Sequence, residues 1–256
     1  MNCAIIGIGW LGKPLAEALI AAGWNVIGTN RSGKHIDVPG LIQHQFDPLS
    51  TTNTEFLGTQ QLVILAFPPD RTNIDAYATA CFKSCTHLSD ECVVILISST
   101  SVYPDKTIEW KENDCIPSDQ SSHPILKCEA ALREQLGSRL TIIRMAGLVG
   151  ANRWPVRFMI RSGKIYNATD PVNLIHQVDA IGICLHVITH QIYGTTINAC
   201  APEHPTKAAY YSAEAKRLGA PIPLFQDISD PGKTINSDYI QSLGYTFQLQ
   251  DPYDFN

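Results

Sequence analysis

"NCAIIGIGWLGKPLAEALIAAG" (residues 2–23) sets the fold. A short apolar run, a glycine-rich turn and apolar residues at helical spacing follow one another without a break. "NCAIIG" (2–7) reads as a buried strand, and "LGKPLAEALIAAG" (11–23) as a helix ended by Gly23. Between them "GIGWLG" (7–12) matches GxGxxG after a strand and at the opening of a helix, the context that gives this pattern its meaning. Gly7 permits the tight turn, Gly9 lets backbone approach a pyrophosphate, and Gly12 allows helix and strand to pack closely. The helix start offers N–H groups and the positive end of a dipole to phosphates. The whole loop, with Trp10 and Leu11, is a candidate dinucleotide contact. The bland alternative is a tight strand–helix turn that binds nothing.

A second strand, "NVIGTN" (25–30), ends at Asn30, 18 residues after Gly12. An NAD site usually places a carboxylate near there to accept hydrogen bonds from the ribose hydroxyls. Here "TNRSGK" (29–34) stands instead, with neutral Asn30 followed by Arg31, Ser32 and Lys34, which suit a 2′-phosphate. This favours NADP over NAD; the alternative is that Arg31 is a solvated loop charge. Further on, "LAFPPD" (65–70) ends another strand, where Ala66 and Phe67 suit a backbone wall against the cofactor.

The alternation continues. "LVILAFP" (62–68), "CVVILISS" (92–99) and "LTIIRMAGLVG" (140–150) are apolar runs, the last preceded by a helix at about 123–137. Continuous apolar strands separated by helices predict an α/β fold with a doubly wound, Rossmann-like parallel sheet covered on both faces. Beyond residue 150 the pattern loosens. "VNLIHQVDAIGICLHVI" (172–188) and "TTINACAPEHPTKAAYYSAEAKRLG" (195–219) each read as a strand followed by a helix. We expect one domain over 1–256, with 151–256 supplying most of a small C-terminal substrate lobe.

Bulk properties narrow the function classes. The 256 residues are 45% hydrophobic and 17% charged, as in globular proteins. A net charge of −5 supplies no basic field for nucleic acid or anionic membrane. No apolar run is long enough to span a bilayer, and the start at "MNCAIIGIGW" shows no basic n-region before a long apolar stretch, so neither a membrane anchor nor a signal peptide is expected. Eight cysteines are scattered without CxxC or zinc spacing. They predict no metal and fit a reducing cytoplasm. Cys81 and Cys85 read as two small apolar residues on one helix face.

With the strands placed, "ISSTSVYP" (97–104), "ENDCIP" (112–117), "SSHPILKCEAAL" (121–132), "IIRMAGLVG" (142–150) and "NLIHQVDAIG" (173–182) fall into an order that resembles the extended, or atypical, short-chain dehydrogenase/reductase superfamily. Within it the chain is similar to bacterial NAD(P)-dependent epimerase/dehydratase-like proteins that open with a GxGWLG loop. The resemblance runs to about residue 245. It implies an NAD(P)-linked oxidoreductase or epimerase/dehydratase-like protein, acting on a sugar, a nucleotide-sugar or another small carbonyl or hydroxyl substrate. It also implies a serine after the fifth strand and a Tyr-x-x-x-Lys pair on the next helix. The tyrosine is the general acid/base, the lysine holds the nicotinamide ribose, and the serine bonds the substrate oxygen. Homodimers are common in the superfamily.

Ser99 takes the serine position and Lys127 the lysine position, while His123 stands where the tyrosine belongs. An imidazole titrates near neutrality, so a histidine can serve in principle, but its ring reaches less far than a phenol. Three readings stay open: His123 does the proton transfer, Tyr103 or a water substitutes, or the chain binds cofactor as a non-catalytic regulator or sensor. His123 also reads as a helix cap beside Pro124, and Tyr103 as packing. Alternation along the strand sends Ser98 and Thr100 away from Ser99. A β-hydroxyacid-dehydrogenase-like reductase also begins GxGxxG, but "SSTSVY" (98–103) and Lys127 argue against it.

Arg153, Arg157 and Arg161 recur every four residues in "RWPVRFMIRSGK" (153–164). On a helix they form a basic stripe suited to an anionic substrate, or merely a solvated face. His176 reads as structural, Asp179 as a helix-start anchor, and Glu112 and Asp114 as surface-loop residues.

Overall fold

The computed structural model describes residues 1–50, 54–69, 76–150, 152–227 and 230–255. Asp70 of the predicted cofactor wall lies outside the described residues, as do Ala151 and Asn256 at the ends of the predicted lobe. In chain order the elements are β1 (Asn2–Ile6), α1 (Gly12–Ala21), β2 (Asn25–Asn30), β3 (Ile42–Gln45), β4 (Leu62–Leu65), α2 (Ala76–Lys83), β5 (Val93–Ser99), β6 (Glu109–Trp110), α3 (Pro124–Leu136), β7 (Leu140–Met145), β8 (Gly147–Val149), α4 (Pro155–Ser162), β9 (Ile165–Asn167), β10 (Leu174–His176), α5 (Gln177–Thr189), β11 (Thr196–Ala199), α6 (Lys207–Arg217), β12 (Leu224–Gln226), β13 (Thr234–Ile235) and α7 (Asp238–Ser242).

Seven strands form one sheet in the order β3-β2-β1-β4-β5-β7-β11. The pairs β1–β2, β1–β4, β2–β3 and β4–β5 are parallel. The order reverses between β1 and β4, so the loops leaving those two strands diverge. That is the switch point of a doubly wound sheet, where ligands bind. The central strands are closed to water: every residue of β4 and β7 is buried, as are Cys3–Ile6 of β1. Each buried Leu, Ile or Val there contributes about 1.5–3 kcal/mol over an exposed one, which is why these runs show no polar alternation.

The chain divides into two compact units. The first comprises Met1–Val102, Ile116–Arg144 and Cys184–Thr196. The second comprises Tyr103–Cys115, Met145–Ile183 and Ile197–Asn256, around a core that includes Val149, Val156, Leu174, Tyr210 and Phe255. The smaller unit thus takes an early excursion, 103–115, and gives up 184–196, an interleaving the loosening pattern after residue 150 did not reveal.

The predicted elements are present with ends shifted by a few residues. Strand β3, "IQHQ", is absent from the sequence reading. Its residues are mostly exposed and carry no apolar run; it exists because its backbone pairs with β2 from Ile27–Ile42 to Asn30–Gln45. Cys85 lies beyond the end of α2, yet both Cys81 and Cys85 are buried as expected. All eight cysteines are thiols, and only Cys115 is not fully buried.

Candidate functional site

The glycine loop is built as its spacing requires. Gly7 has φ +107°, and a Cβ there would come within 3.0 Å of the backbone of Ala66 and Phe67. Gly12 begins α1 so close to the turn that a Cβ would lie 2.2 Å from the Gly7 carbonyl oxygen. A Cβ on Gly9, by contrast, would meet none of the described residues within 4 Å. Its surface is the open one, as a site for a pyrophosphate demands. The N-cap residue Leu11 makes no side-chain capping bond and no acidic residue stands in the first turn, which leaves the positive end of the helix suited to an anion.

A cavity of about 450 Å³ opens here, lined on one side by Gly7, Gly9, Asn30 and Arg31 and on the other by Ala66, Phe67 and Tyr77. Tyr77 packs edge-on to Phe67 with ring centroids 5.6 Å apart. Phe46, Asp47, Pro48 and Leu49 close a third wall, which sequence reading missed because they follow the unrecognised β3. The Asp47 carboxylate accepts from the Leu49 N–H at 3.1 Å, shaping that turn. Trp10, Leu11, Gly12, Ser32 and Lys127 do not line the cavity. Leu11 is buried, so what it can offer a phosphate is backbone.

After β2 the chain folds on itself. Asn30 Nδ2 donates to the Lys34 carbonyl at 2.9 Å, Ser32 Oγ donates to Asn30 Oδ1 at 3.2 Å, and the Lys34 N–H donates to Ser32 Oγ at 3.2 Å. Gln45 Nε2 holds the Arg31 carbonyl at 3.1 Å. This local net presents the exposed Arg31 at the cavity edge. The open surface at Gly9, the cavity and the uncapped helix start fit a dinucleotide.

On α3, His123 occupies the N-cap by its backbone (φ −87°, ψ 115°), and Pro124 starts the helix. Its side chain makes no capping bond, so the reading of its ring as a helix cap is corrected. The His123 N–H donates instead to Ser121 Oγ at 3.0 Å. His123 Nδ1 is shut away from solvent and has no hydrogen-bond partner among the described residues. One turn on, Lys127 is exposed, and its N–H donates to the His123 carbonyl at 3.2 Å. Ser99 is half-buried and its Oγ accepts from the Ser101 N–H at 3.1 Å. Ser98 and Thr100 are buried, as strand alternation predicts.

In the second unit, Tyr103 is buried, tilted against Trp110 at 5.7 Å, and donates its hydroxyl to Asn198 Oδ1 at 2.7 Å. That environment accords with the packing reading. Glu112 is not a bare surface residue: its Oε1 accepts from the Asn198 N–H at 2.9 Å. Asp114 accepts from the Lys111 N–H at 2.7 Å. His176 packs on Phe255 and accepts the Val178 N–H on Nδ1 at 3.3 Å. Burial lowers its pKa, with Asp179 pulling the other way. Asp179, wholly buried, lies in the first turn of α5 but does more than start it. Its carboxylate accepts from Tyr245 Oη at 2.7 Å, from the Gln248 N–H at 2.8 Å and from the Leu249 N–H at 3.0 Å. The arginine stripe is shorter than its spacing suggests. Arg157 and Arg161 lie on α4, whereas Arg153 precedes it in a bridge with Gly150; all three are exposed. Among the described residues, no cluster of three or more His, Cys, Asp or Glu could hold a metal ion, and no helix is long and apolar enough to cross a membrane.

The glycine loop, the switch-point cavity and the strand order define an NAD(P)-binding protein of the Rossmann superfamily. The family described as the NAD binding domain of 6-phosphogluconate dehydrogenase matches residues 2–113, ending before α3. Protein YeeZ of Escherichia coli (strain K12) is 31% identical over 97% of this chain and 96% of its own length, and the chain belongs to the same family as that protein. Among solved structures, the fold is similar to a UDP-glucuronic acid 4-epimerase from Bacillus cereus in complex with NAD (TM-score 0.77, 17% identity, 100% of this chain and 96% of that one). It is also similar to a dTDP-glucose 4,6-dehydratase from Bacillus anthracis in complex with NAD (TM-score 0.75, 13% identity, 100% and 95%). At these identities the likeness is one of fold.

Proposed function

We propose that the protein is an NAD(P)-dependent oxidoreductase or epimerase/dehydratase-like enzyme acting on a sugar, a nucleotide-sugar or another small carbonyl or hydroxyl compound. The observation that carries this reading is His123 Nδ1, buried and without a partner among the described residues, one helical turn before Lys127. A buried polar atom without a partner costs on the order of 1–3 kcal/mol, a cost that functional positions tolerate more often than structural ones. The nicotinamide supplies hydride acceptance and return when bound. Ser99 is assigned to orient the substrate oxygen, His123 to exchange its proton, and Lys127 to hold the nicotinamide ribose. The glycine loop and the walls at Asn30–Ser32 and Ala66–Phe67 are assigned to the rest of the dinucleotide. Arg31, with no carboxylate at the end of β2, favours NADP over NAD. Arg157 and Arg161, with Arg153 beside them, are offered as contacts for an anionic substrate. A homodimer and a cytoplasmic location belong to the same reading.

A second reading is a cofactor-binding regulator or sensor without turnover. It is favoured by the engagement of the Tyr103 hydroxyl with Asn198, which occupies the phenol that would otherwise stand in as proton donor. One experiment separates the two: nicotinamide turnover on a panel of sugars, nucleotide-sugars, aldehydes and ketones by the parent, His123→Ala and His123→Tyr. Turnover by the parent that His123→Ala abolishes supports the enzyme. Binding of NADPH with no turnover by the parent, gained only in His123→Tyr, supports the regulator.

A further inference from the structure

Helix α3 carries two polar side chains on its inner face, Glu129 and Arg133, one turn apart. Glu129 is wholly buried and is met from two sheet strands at once. Ser98 Oγ, at the end of β5, donates to Glu129 Oε1 at 2.5 Å. Arg144, wholly buried on β7, donates through Nε to Oε1 at 3.2 Å and through Nη2 to Oε2 at 2.7 Å. Arg133 Nη1 then donates to the carbonyls of Leu140 at 2.7 Å and Gly194 at 3.2 Å. Apolar contacts tolerate sliding of a helix along a sheet; a two-pronged guanidinium–carboxylate pair does not. Buried ion pairs are weak sources of net stability, because desolvation offsets their attraction, and their best-attested use is to select one register.

We propose that Ser98, Glu129 and Arg144 form a positioning lock that sets where α3 stands along the sheet, and so where His123 and Lys127 present their side chains. Glu129 lies six residues after His123 and two after Lys127 on the same rigid helix, so a displacement of the carboxylate displaces both. Ser98 is bonded to Ser99, so the same carboxylate references the serine as well. The lock rests on the assignment of α3 to the site made above, but its own geometry is independent of any substrate.

The test replaces the whole lock rather than breaking it, because a lone buried charge would unfold the protein. In Ser98→Ala/Glu129→Leu/Arg144→Met the volume is nearly kept and no charge is stranded. Ring resonances of His123 are read by ¹H–¹⁵N NMR, and NADPH affinity by fluorescence, in the parent, Lys127→Ala, the triple variant and the two combined. We expect the triple variant to melt cooperatively, to shift the His123 resonances, and to weaken NADPH roughly tenfold, the size of a lost charge-assisted hydrogen bond. Adding Lys127→Ala should then cost little more. His123 resonances and NADPH affinity both unchanged in the folded triple variant would overturn the lock. If the resonances move while Lys127→Ala binds NADPH like the parent, the lock stands and the assignment of Lys127 to the cofactor falls. Should the triple variant fail to fold, Ser98→Ala alone removes one bond and leaves the ion pair intact. A smaller shift of His123 is then expected, and its absence counts against the proposal.

Discussion

A Cβ placed on Gly12 would lie 2.2 Å from the carbonyl oxygen of Gly7, while one placed on Gly9, two residues from the same turn, would meet none of the described residues within 4 Å. The three glycines of one motif therefore do different work. Gly12→Ala should destabilise the fold by on the order of 1–3 kcal/mol, read as a lower melting temperature without ligand. Gly9→Ala should melt like the parent and bind NADPH roughly tenfold more weakly, because its methyl group occupies the ligand's space. Equal melting temperatures for the two variants would refute the distinction.

Arg31 stands exposed at the cavity edge, and the neighbouring Asn30–Lys34 net orients the loop. Arg31→Ala should weaken NADP by about tenfold or more and leave NAD nearly unchanged, as loss of a charged phosphate contact predicts. Titration with both nucleotides checks this. Tighter binding of NAD than NADP by the parent, unaffected by the substitution, would count against the NADP preference.

Asp179 accepts three hydrogen bonds while buried, two of them from the backbone of 248–249. Asp179→Ala removes the acceptor of the two backbone donors, while Tyr245 Oη keeps its bond to the Asp179 carbonyl, at a cost of about 3 kcal/mol or more. Hydrogen exchange should show the Gln248 and Leu249 amides losing protection before the β1–β4 strand core does.

His176 should make the fold acid-sensitive. Burial lowers its pKa in the folded state, so the unfolded chain binds its proton more readily. The sign follows: its contribution is complete above the unfolded value of about 6.5 and is lost as pH falls through the lower folded value. The ring's acceptance of the Val178 N–H also requires the neutral form. Urea midpoints at pH 7 and pH 5 should converge in His176→Gln relative to the parent.

Burial raises the thiol pKa of Cys92 to about 11 and of Cys85 to about 12, against a thiolate requirement for alkylation. Iodoacetamide at neutral pH should modify Cys115 first, with the other seven reacting only on unfolding. Mass mapping of the native protein settles the order.

The parts legible in the sequence were those that local chemistry dictates. The turn at Gly7 needs a positive φ, the strands at 62–65 and 140–145 are buried on both faces, and Pro124 marks the first residue of α3. The wall at Phe46–Leu49 was not legible, because β3 has no apolar pattern and is held only by its neighbour's backbone. The extent of the arginine stripe was misread because four-residue spacing cannot say where a helix begins. Asp179 looked like a helix-start residue, since its three donors lie more than sixty positions away.

His123 joins the two kinds of knowledge. By itself the sequence determined that a histidine, not a tyrosine, stands one turn before Lys127, because spacing along a helix is a local property. Only the tertiary structure decided that this histidine's side chain leaves the helix uncapped and keeps Nδ1 buried without a partner among the described residues. It alone also brought Ser98 and Arg144 onto Glu129. Those facts depend on what the fold packs around a side chain, and burial and partnership are set by residues far away in the chain.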